Sequence, residues 1–267
     1  MGWEGKVEDH SIFPDIYIGD DSRFNCRIWG GIIIKPVLDV LGDYSVQTIG
    51  ILSSITVLAM SAASAGKQLL QKTRFDIKTL LPLAIGAAIG GVFGQKLLVA
   101  VVNAYEIGSA VIIIQNATLL VFVIAVLLYM LNRKKIKSRN LSGIWASVFV
   151  GFSLGLVSSF LGIGGGPINV ALMVYLFSFD IKTATVCSII TILFSQLANI
   201  GLTTFMVGFG RYDLKMLPLM VIGAIAGGFI GAHLNKRLDE KTVEKCFIGV
   251  QFLVIGFAVF NVFRNTL

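Results

Sequence analysis

Charged residues are scarce in this chain. Asp, Glu, Lys and Arg make up 14% of its 267 residues, whereas an ordinary soluble domain carries about 25%. Apolar residues reach 55% and the mean hydropathy is +0.84. Because so few charges cannot cover a water-exposed surface, lipid must be the solvent for much of the chain. The composition therefore predicts an all-α integral membrane protein.

Residue types that carry most enzyme chemistry are also scarce. The chain has two histidines, and its three cysteines (Cys26, Cys187 and Cys246) lack the spacing of a metal site or a disulfide framework. The HExxH, GxSxG and phosphate-binding P-loop motifs are absent from the sequence. We therefore expect no enzyme activity, no catalytic residue, no metal and no cofactor. Any pumping must then draw on an ion or substrate gradient.

The first residues of the chain lack an uninterrupted apolar core, so no cleavable signal peptide is visible. They carry six acidic residues, which are Glu4, Glu8, Asp9, Asp15, Asp20 and Asp21. Each charge at the centre of a membrane span costs about 2.5–3.5 kcal/mol on insertion scales. Residues 1–29 are therefore expected to form a polar segment that does not span. An altered start of the chain and a genuine soluble extension are the two explanations for it.

Apolar segments long enough to cross a bilayer follow this polar start. Seven are predicted as spans, and they are residues 46–65, 79–102, 107–131, 143–161, 183–206, 216–234 and 243–263. Two shorter apolar pieces, 31–41 and 166–178, follow glycine runs and are predicted as half-helices or re-entrant segments. Five basic residues are concentrated in the stretch 132–142. Such a run also suits nucleic acid, but its long apolar flanks indicate a cytoplasmic loop and no nucleic-acid partner.

One sequence block occurs twice. RFDIKTLLPLAIGAAIGGVFG spans residues 74–94, and RYDLKMLPLMVIGAIAGGFIG spans residues 211–231. Chance similarity between apolar helices does not easily place a charged triplet and four glycines in the same register. The glycines recur every three or four residues on one helix face, which predicts close helix packing. The chain is therefore predicted to contain two homologous transmembrane repeats, 30–131 and 143–267, joined by the basic linker 132–142.

The orientation of the two repeats follows from the number of crossings and from charge. If the short glycine-led segment crosses the membrane like the long helices, each complete repeat crosses five times. An odd number of crossings inverts the second repeat relative to the first. With 132–142 in the cytoplasm, the inverted arrangement places Arg211 outside. It also returns a second basic cluster to the cytoplasm, made of Lys236, Arg237, Lys241 and Lys245. A parallel arrangement would place that cluster outside, against the positive-inside rule.

The segment LGIGGGPINV, residues 161–170, is predicted to break a helix. Consecutive glycines uncover backbone N–H and C=O groups, which in hydrocarbon need internal partners or a wet cavity. Pro167 suits the first turn of a new helix, where no N–H is needed. A helix that begins here offers free N–H groups and a positive dipole end to an anion. Gly164, Gly165, Gly166 and Pro167 are therefore candidate substrate-binding residues, unless the glycines only permit close packing.

The first repeat has a related glycine-led segment, GGIIIKPVL. Its candidate substrate-binding residues are Gly30, Gly31, Lys35 and Pro36. An intramembrane charge is costly and indicates function, so Lys35 is predicted to neutralise a bound anion. Pairing with Asp39 or snorkelling to an interface is the alternative for Lys35. Ser53 and Ser188 are predicted to donate hydrogen bonds to an oxyanion, unless they bond carbonyls of their own helices.

These motifs together resemble one known family. GIGGGPINVALM, GGIIIKPVL followed by SSITVLAMSAASA, and the paired GAxxGG blocks are similar to the TauE/SafE sulfite-exporter family, from Gly30 to the C-terminus. The resemblance implies secondary transport of sulfite, sulfonates or related anions, with proton or gradient coupling. The sequence departs from the family at Arg27 and Trp29, which replace glycines, and at Ala171, which replaces a proline. The family's apolar first helix is also absent, so reduced stability or a homo-oligomer is expected.

We therefore expect a multi-pass cell-membrane protein that moves a small anion. The substrate site is predicted near the membrane midplane, between residues 30–36 and 164–167. An importer of thiosulfate or sulfate is the alternative within transport. A non-transporting membrane partner or receptor subunit is the alternative from another functional class.

Overall fold

The computed structural model describes residues 35, 38, 45–70, 77–104, 108–133, 135–206, 208, 210 and 212–266. These residues form eight helices and no strand. The helices are α1 (Val46–Leu70), α2 (Ile77–Ala104), α3 (Gly108–Asn132), α4 (Ile144–Leu161), α5 (Gly166–Phe177), α6 (Ile181–Met206), α7 (Leu217–Arg237) and α8 (Glu240–Thr266). Seven are long and apolar enough to cross a bilayer, and α5 is shorter. The prediction of a multi-pass all-α membrane protein is confirmed.

Helix ends extend past the predicted spans where charged residues can reach water or a partner. The first predicted span ends at residue 65, but α1 continues to Leu70 because Lys67 Nζ donates a hydrogen bond to the Phe229 carbonyl at 3.1 Å. The start of α8 is fixed by Asp239, whose carboxylate accepts hydrogen bonds from the backbone and hydroxyl of Thr242. The Thr242 hydroxyl lowers the pKa of Asp239. Hydropathy locates the apolar stretch, whereas these polar contacts set its ends.

The predicted linker 132–142 lies between α3, which ends at Asn132, and α4, which begins at Ile144. Its described residues mark one face of the bundle, which we call the linker face. Arg133, just after α3, forms a salt bridge of 3.2 Å with Glu240 at the start of α8. The Arg139 backbone N–H donates to the Tyr175 carbonyl near the end of α5. The ends of α3 and α5 and the start of α8 therefore all lie at the linker face.

Helices α4 and α5 form a hairpin that leaves the linker face and returns to it. With 18 and 12 residues they are about 27 and about 18 Å long, so the turn between them lies deep in the bilayer thickness. Side chains of both helices belong to the main apolar core, including Leu154 and Met173. Helix α5 therefore returns toward the face from which α4 starts, as expected of a half-helix or a re-entrant segment.

Helices α2 and α4 pack backbone against backbone through glycine. A Cβ added at Gly86 would collide with the Val148 carbonyl, and one at Gly90 with the Phe152 carbonyl. The equivalent Gly223 of α7 differs, because a Cβ there would meet nothing within 4 Å. Close packing is therefore confirmed for the first glycine block, and the second block lacks a matching contact at Gly223.

The helices of the two predicted repeats run in opposite directions. Helices α2, α6 and α8 lead away from the linker face, and α3 and α7 lead toward it, as their connections and the α2–α4 contacts show. Helix α1 leads toward this face, since Ser64 bonds the Gly228 carbonyl while Ser54 bonds Asn199 in the distal half of α6. The pairs α1/α6, α2/α7 and α3/α8 are thus each antiparallel. An inverted duplication would produce this arrangement, and the duplication itself stays a prediction.

Topology can be tested with single cysteines in a background that lacks the native ones. We expect cysteines at Lys137 and Lys241 to react only with a membrane-impermeant reagent applied to the cytoplasmic side. A cysteine at Lys215, in the exposed turn before α7, is expected to react only from outside. Labelling of Lys215 and Lys241 positions from the same side would contradict the antiparallel arrangement.

Candidate functional site

The helix break predicted at the glycine run is present. Helix α4 ends at Leu161, and the Gly162 N–H donates to the Ser159 carbonyl at 3.2 Å. Gly162, Gly164 and Gly165 all have left-handed backbones, with φ of 65°, 71° and 72°. Since only glycine adopts this conformation readily, the three glycines make the turn possible. Helix α5 then begins at Gly166 with a proline in its first turn.

Side chains enclose the break so closely that no Cβ would fit without displacing a neighbour. One added at Gly165 would lie 2.8 Å from Asn169 Oδ1 and 2.9 Å from Ser158 Oγ. One added at Gly164 would lie 2.7 Å from Val57 Cγ1 of α1. The glycines therefore let side chains of α1, α4 and α5 pack directly against the backbone of the break.

Lys35 lies against the break, as the predicted midplane site requires. Its side chain is 2% exposed, and its Cδ and Cε atoms lie 3.2 and 3.3 Å from the position a Gly162 Cβ would take. The structure thus brings Lys35 together with the candidate residues of the second repeat. The other first-repeat candidates, Gly30, Gly31 and Pro36, lie outside the described residues.

Two serines that were predicted as substrate-binding residues donate hydrogen bonds to the break. Ser53 Oγ of α1 donates to the Gly162 carbonyl at 2.7 Å, and Ser188 Oγ of α6 donates to the Gly166 carbonyl at 3.4 Å. Both serines are buried. The Gly162 carbonyl follows the end of α4 and has no partner within that helix, so Ser53 satisfies it. The Gly166 carbonyl stands at the start of α5, and Ser188 adds a donor to it. The bonds run to the break rather than to carbonyls of their own helices.

A cleft leads from the break toward the linker face. Its lining comes from α1, the break, α6 and α7, and includes Ser64, Gly164, Gly166, Ser188 and Asn235. Ser64 and Asn235 belong to the halves of α1 and α7 nearest the linker face, so the cleft lies between the start of α5 and that face.

The opposite side of the break is closed by apolar side chains. Leu38, Ile49 and Leu52 form a buried cluster, against which Leu214, Leu217 and Met220 pack. Apart from Leu38, these residues lie in or just before the distal ends of α1 and α7, away from the linker. The cleft therefore lies on the linker side of the break, and this apolar cluster lies on the other side.

A model of the family described as "Sulfite exporter TauE/SafE" matches residues 28–258, which contain every described helix up to the last turns of α8. The chain belongs to the TauE/SafE sulfite exporter family. Membership confirms the resemblance carried by the glycine segments, and the family is one of membrane transporters.

One relative of this TauE/SafE chain is the "Probable membrane transporter protein YunE" of Bacillus subtilis (strain 168). The two are 31% identical over 96 residues, which cover 36% of this chain and 34% of the relative. The match thus spans about a third of the relative's length. No solved structure matches the chain.

Several buried polar side chains near the break were not predicted as site residues. Ser158 Oγ, Ser159 Oγ and Asn169 Oδ1 are buried without a hydrogen-bond partner. Asn169 follows Gly165 by four residues, which in a helix places its side chain back over the first turn. This spacing is the sequence signal that could have identified it, whereas the serines of α4 carry no such signal.

Proposed function

We propose that this chain is a secondary transporter that moves a small oxyanion, sulfite or an organosulfonate, across the cell membrane. The observation that carries the proposal is the start of α5, which follows a glycine turn within the helix bundle and borders a cleft, while a buried lysine lies against Gly162 at the beginning of that turn. The first N–H groups of a helix lack partners within it and carry partial positive charge. A negatively charged group bound there is stabilised by both the N–H groups and the dipole.

Lys35 adds a basic side chain on the other side of the glycine turn, where it lies against Gly162. A negative charge nearby stabilises a buried lysine, so an anion bound at the break would interact with Lys35 as well as with the start of α5.

Export is the direction we propose. The cleft lies on the linker side of the break, and by the positive-inside rule we expect the basic linker in the cytoplasm. A substrate from that side would reach Gly164 and Gly166 before meeting the apolar closure around Leu52. Opening that closure while the cleft collapses would release the substrate outside, as alternating access requires.

Import of thiosulfate or sulfate is the alternative within transport, since the N–H groups at the start of α5 and the Lys35 side chain suit any small oxyanion. A non-transporting membrane partner is the alternative from another class. The cleft that ends at a helix break favours transport over a scaffold role, because a scaffold has no need of irregular backbone deep in the membrane. We also propose that catalysis plays no part.

Replacing Lys35 tests the proposed site. In proteoliposomes, Lys35→Ala is expected to raise the KM for sulfite about 10-fold or more, because hydrogen bonds to charged groups contribute about 1.5–3 kcal/mol. Lys35→Arg, which keeps the charge, is expected to retain more affinity. Lys215→Ala, an exposed lysine in the turn before α7, is the matched control. A KM for Lys35→Ala equal to that of the unaltered protein would make Lys35 structural.

A further inference from the structure

Two pairs of helices cross at glycines that hold matching positions in the repeated block, Gly91 of α2 and Gly228 of α7. A Cβ added at Gly228 would lie 2.6 Å from the Met60 carbonyl oxygen of α1 and 3.0 Å from Ser64 Oγ. One added at Gly91 would lie 2.7 Å from Ser195 Oγ and 2.9 Å from the Ser195 carbonyl oxygen of α6. Helix α1 therefore crosses α7 at Gly228 as α6 crosses α2 at Gly91, and in both cases the missing side chain permits the close approach.

The residues at the two crossings also match in sequence. The separation of the glycine-led segments GGIIIKPVL and GGPINVALM relates Met60 to Ser195 and Ser64 to Asn199. Met60 and Ser64 border the cleft on the linker side of the break. Ser195 and Asn199, by contrast, are each 1% exposed. One crossing thus borders a cleft, whereas its counterpart in the other predicted repeat is closed.

The closed crossing lies beyond the break as seen from the linker face. Helix α6 begins at Ile181 near that face, and Ser188, which bonds the start of α5, is about 10 Å along the helix. Ser195 is about 20 Å along it and Asn199 about 27 Å. A substrate that passes the break away from the linker would therefore reach these two residues next.

The closed crossing is polar. Ser195 Oγ and Asn199 Oδ1 are buried without a hydrogen-bond partner in the part of the chain that the structure describes, and so is Ser159 Oγ of α4. The Ser159 oxygen lies 3.3 Å from the position of a Gly91 Cβ, and Asn199 Nδ2 donates to Ser54 Oγ of α1 at 3.4 Å. Buried polar groups without partners are unfavourable, and apolar side chains would pack this crossing without leaving any. When the helices separate, the serine hydroxyls and the Asn199 amide can bond water or donate to an oxyanion.

We propose that Ser54, Ser195 and Asn199 line the outward half of the substrate path and donate hydrogen bonds to the oxyanion after it leaves the break. In this state α6 moves away from Gly91, and α1 and α7 close over the present cleft. Inverted repeats exchange roles in this way, so the residues that line one cleft predict those that line the other. The contact with an oxyanion rests on the proposed function, whereas the movement of α6 rests on the matched crossings and their buried polar groups.

Labelling of single cysteines from outside tests the proposed path. In sealed right-side-out vesicles and a background without the native cysteines, Ser54→Cys, Ser195→Cys and Asn199→Cys are treated with a membrane-impermeant maleimide. Each is expected to react at least about 10-fold faster than Val123→Cys of the apolar core, because a minor outward-open state exposes these positions repeatedly. In inside-out vesicles Ser64→Cys, the counterpart of Asn199 beside the cleft, is expected to react instead. Rates for all three positions no faster than for Val123→Cys would overturn the proposal.

The maleimide adduct also tests whether α6 must return to Gly91 during transport. After excess reagent is removed, the adduct on Ser195→Cys is expected to reduce sulfite flux at least about 10-fold, since a bulky group fills the closed crossing. The same adduct on Lys215→Cys, in the exposed turn before α7, is the matched control and is expected to leave flux unchanged. Should Ser195→Cys fail to fold, Ser54→Cys serves instead, because serine and cysteine are close in size. Unchanged flux after complete modification would contradict a path through this crossing.

The path and the proposed function can fail separately in this design. Sulfite flux without outside labelling of these positions would overturn the path alone. Outside labelling without flux of any oxyanion would contradict the proposed function, and with it the contact with an oxyanion, while the movement of α6 away from Gly91 would stand.

Discussion

Replacing Gly165 by leucine is expected to reduce oxyanion flux in proteoliposomes to the level of protein-free liposomes, while the protein still inserts in the membrane. Two physical effects combine at this position. A left-handed backbone costs a side-chain-bearing residue about 1–2 kcal/mol. The new side chain would also occupy the space between Ser158 and Asn169, and so displace the first turn of α5. Insertion is preserved because the apolar spans are unchanged.

The control for this substitution is Gly201→Leu in α6. A Cβ at Gly201 would meet nothing within 4 Å, and its backbone is helical. Flux through Gly201→Leu is therefore expected to stay within about two-fold of the unaltered protein. Normal transport kinetics for Gly165→Leu, measured at equal protein content per liposome, would remove the glycine break as the substrate site.

Gly86→Ala and Gly223→Ala form the second comparison, because the two glycines match in the repeated sequence block. Gly86→Ala is expected to lower the Tm in detergent by about 5–10 °C or to prevent folding, since overpacking costs about 1–3 kcal/mol or more. The collision is with the Val148 backbone, which cannot rotate away as a side chain can. Gly223→Ala is expected to leave the Tm within about 2 °C, because nothing lies within 4 Å of the new methyl group.

Equal losses of Tm in the two variants would mean that Gly223 also packs closely against another helix. That helix would have to come from a second copy of the chain or from residues outside those described. Equal and negligible losses would instead contradict the close approach of α2 and α4. The measurement needs only the purified protein, so it does not depend on the identity of the substrate.

The membrane spans could be predicted from sequence because hydropathy acts locally. A segment such as 107–131 is apolar throughout, and the helix found there, α3, differs at its ends by a single residue. The break was predictable for the same reason, since consecutive glycines followed by Pro167 disfavour a continuous helix whatever surrounds them. The antiparallel course of the paired helices agrees with the inverted orientation that the positions of the basic residues and the positive-inside rule predict.

The contacts around the break could not be predicted, because they join residues far apart in the chain. Ser53 bonds a carbonyl 109 residues away, and sequence reasoning had assigned its hydroxyl to the substrate instead. The glycine blocks also show that a local motif does not predict a long-range contact. Gly86 and Gly223 share one motif, yet only Gly86 is covered in the described structure, by α4. A motif specifies which faces can pack closely, whereas the presence of a neighbour depends on the whole fold.

Radiolabelled oxyanion flux in proteoliposomes made from the purified chain alone tests the central claim most directly. The assay compares sulfite, thiosulfate, sulfate, sulfoacetate and taurine, with protein-free liposomes and Gly165→Leu as references. Our account predicts saturable sulfite or sulfonate flux that unlabelled sulfite inhibits and that Gly165→Leu lacks. Flux of all five compounds at the rate of protein-free liposomes would contradict it, and would favour a non-transporting membrane partner.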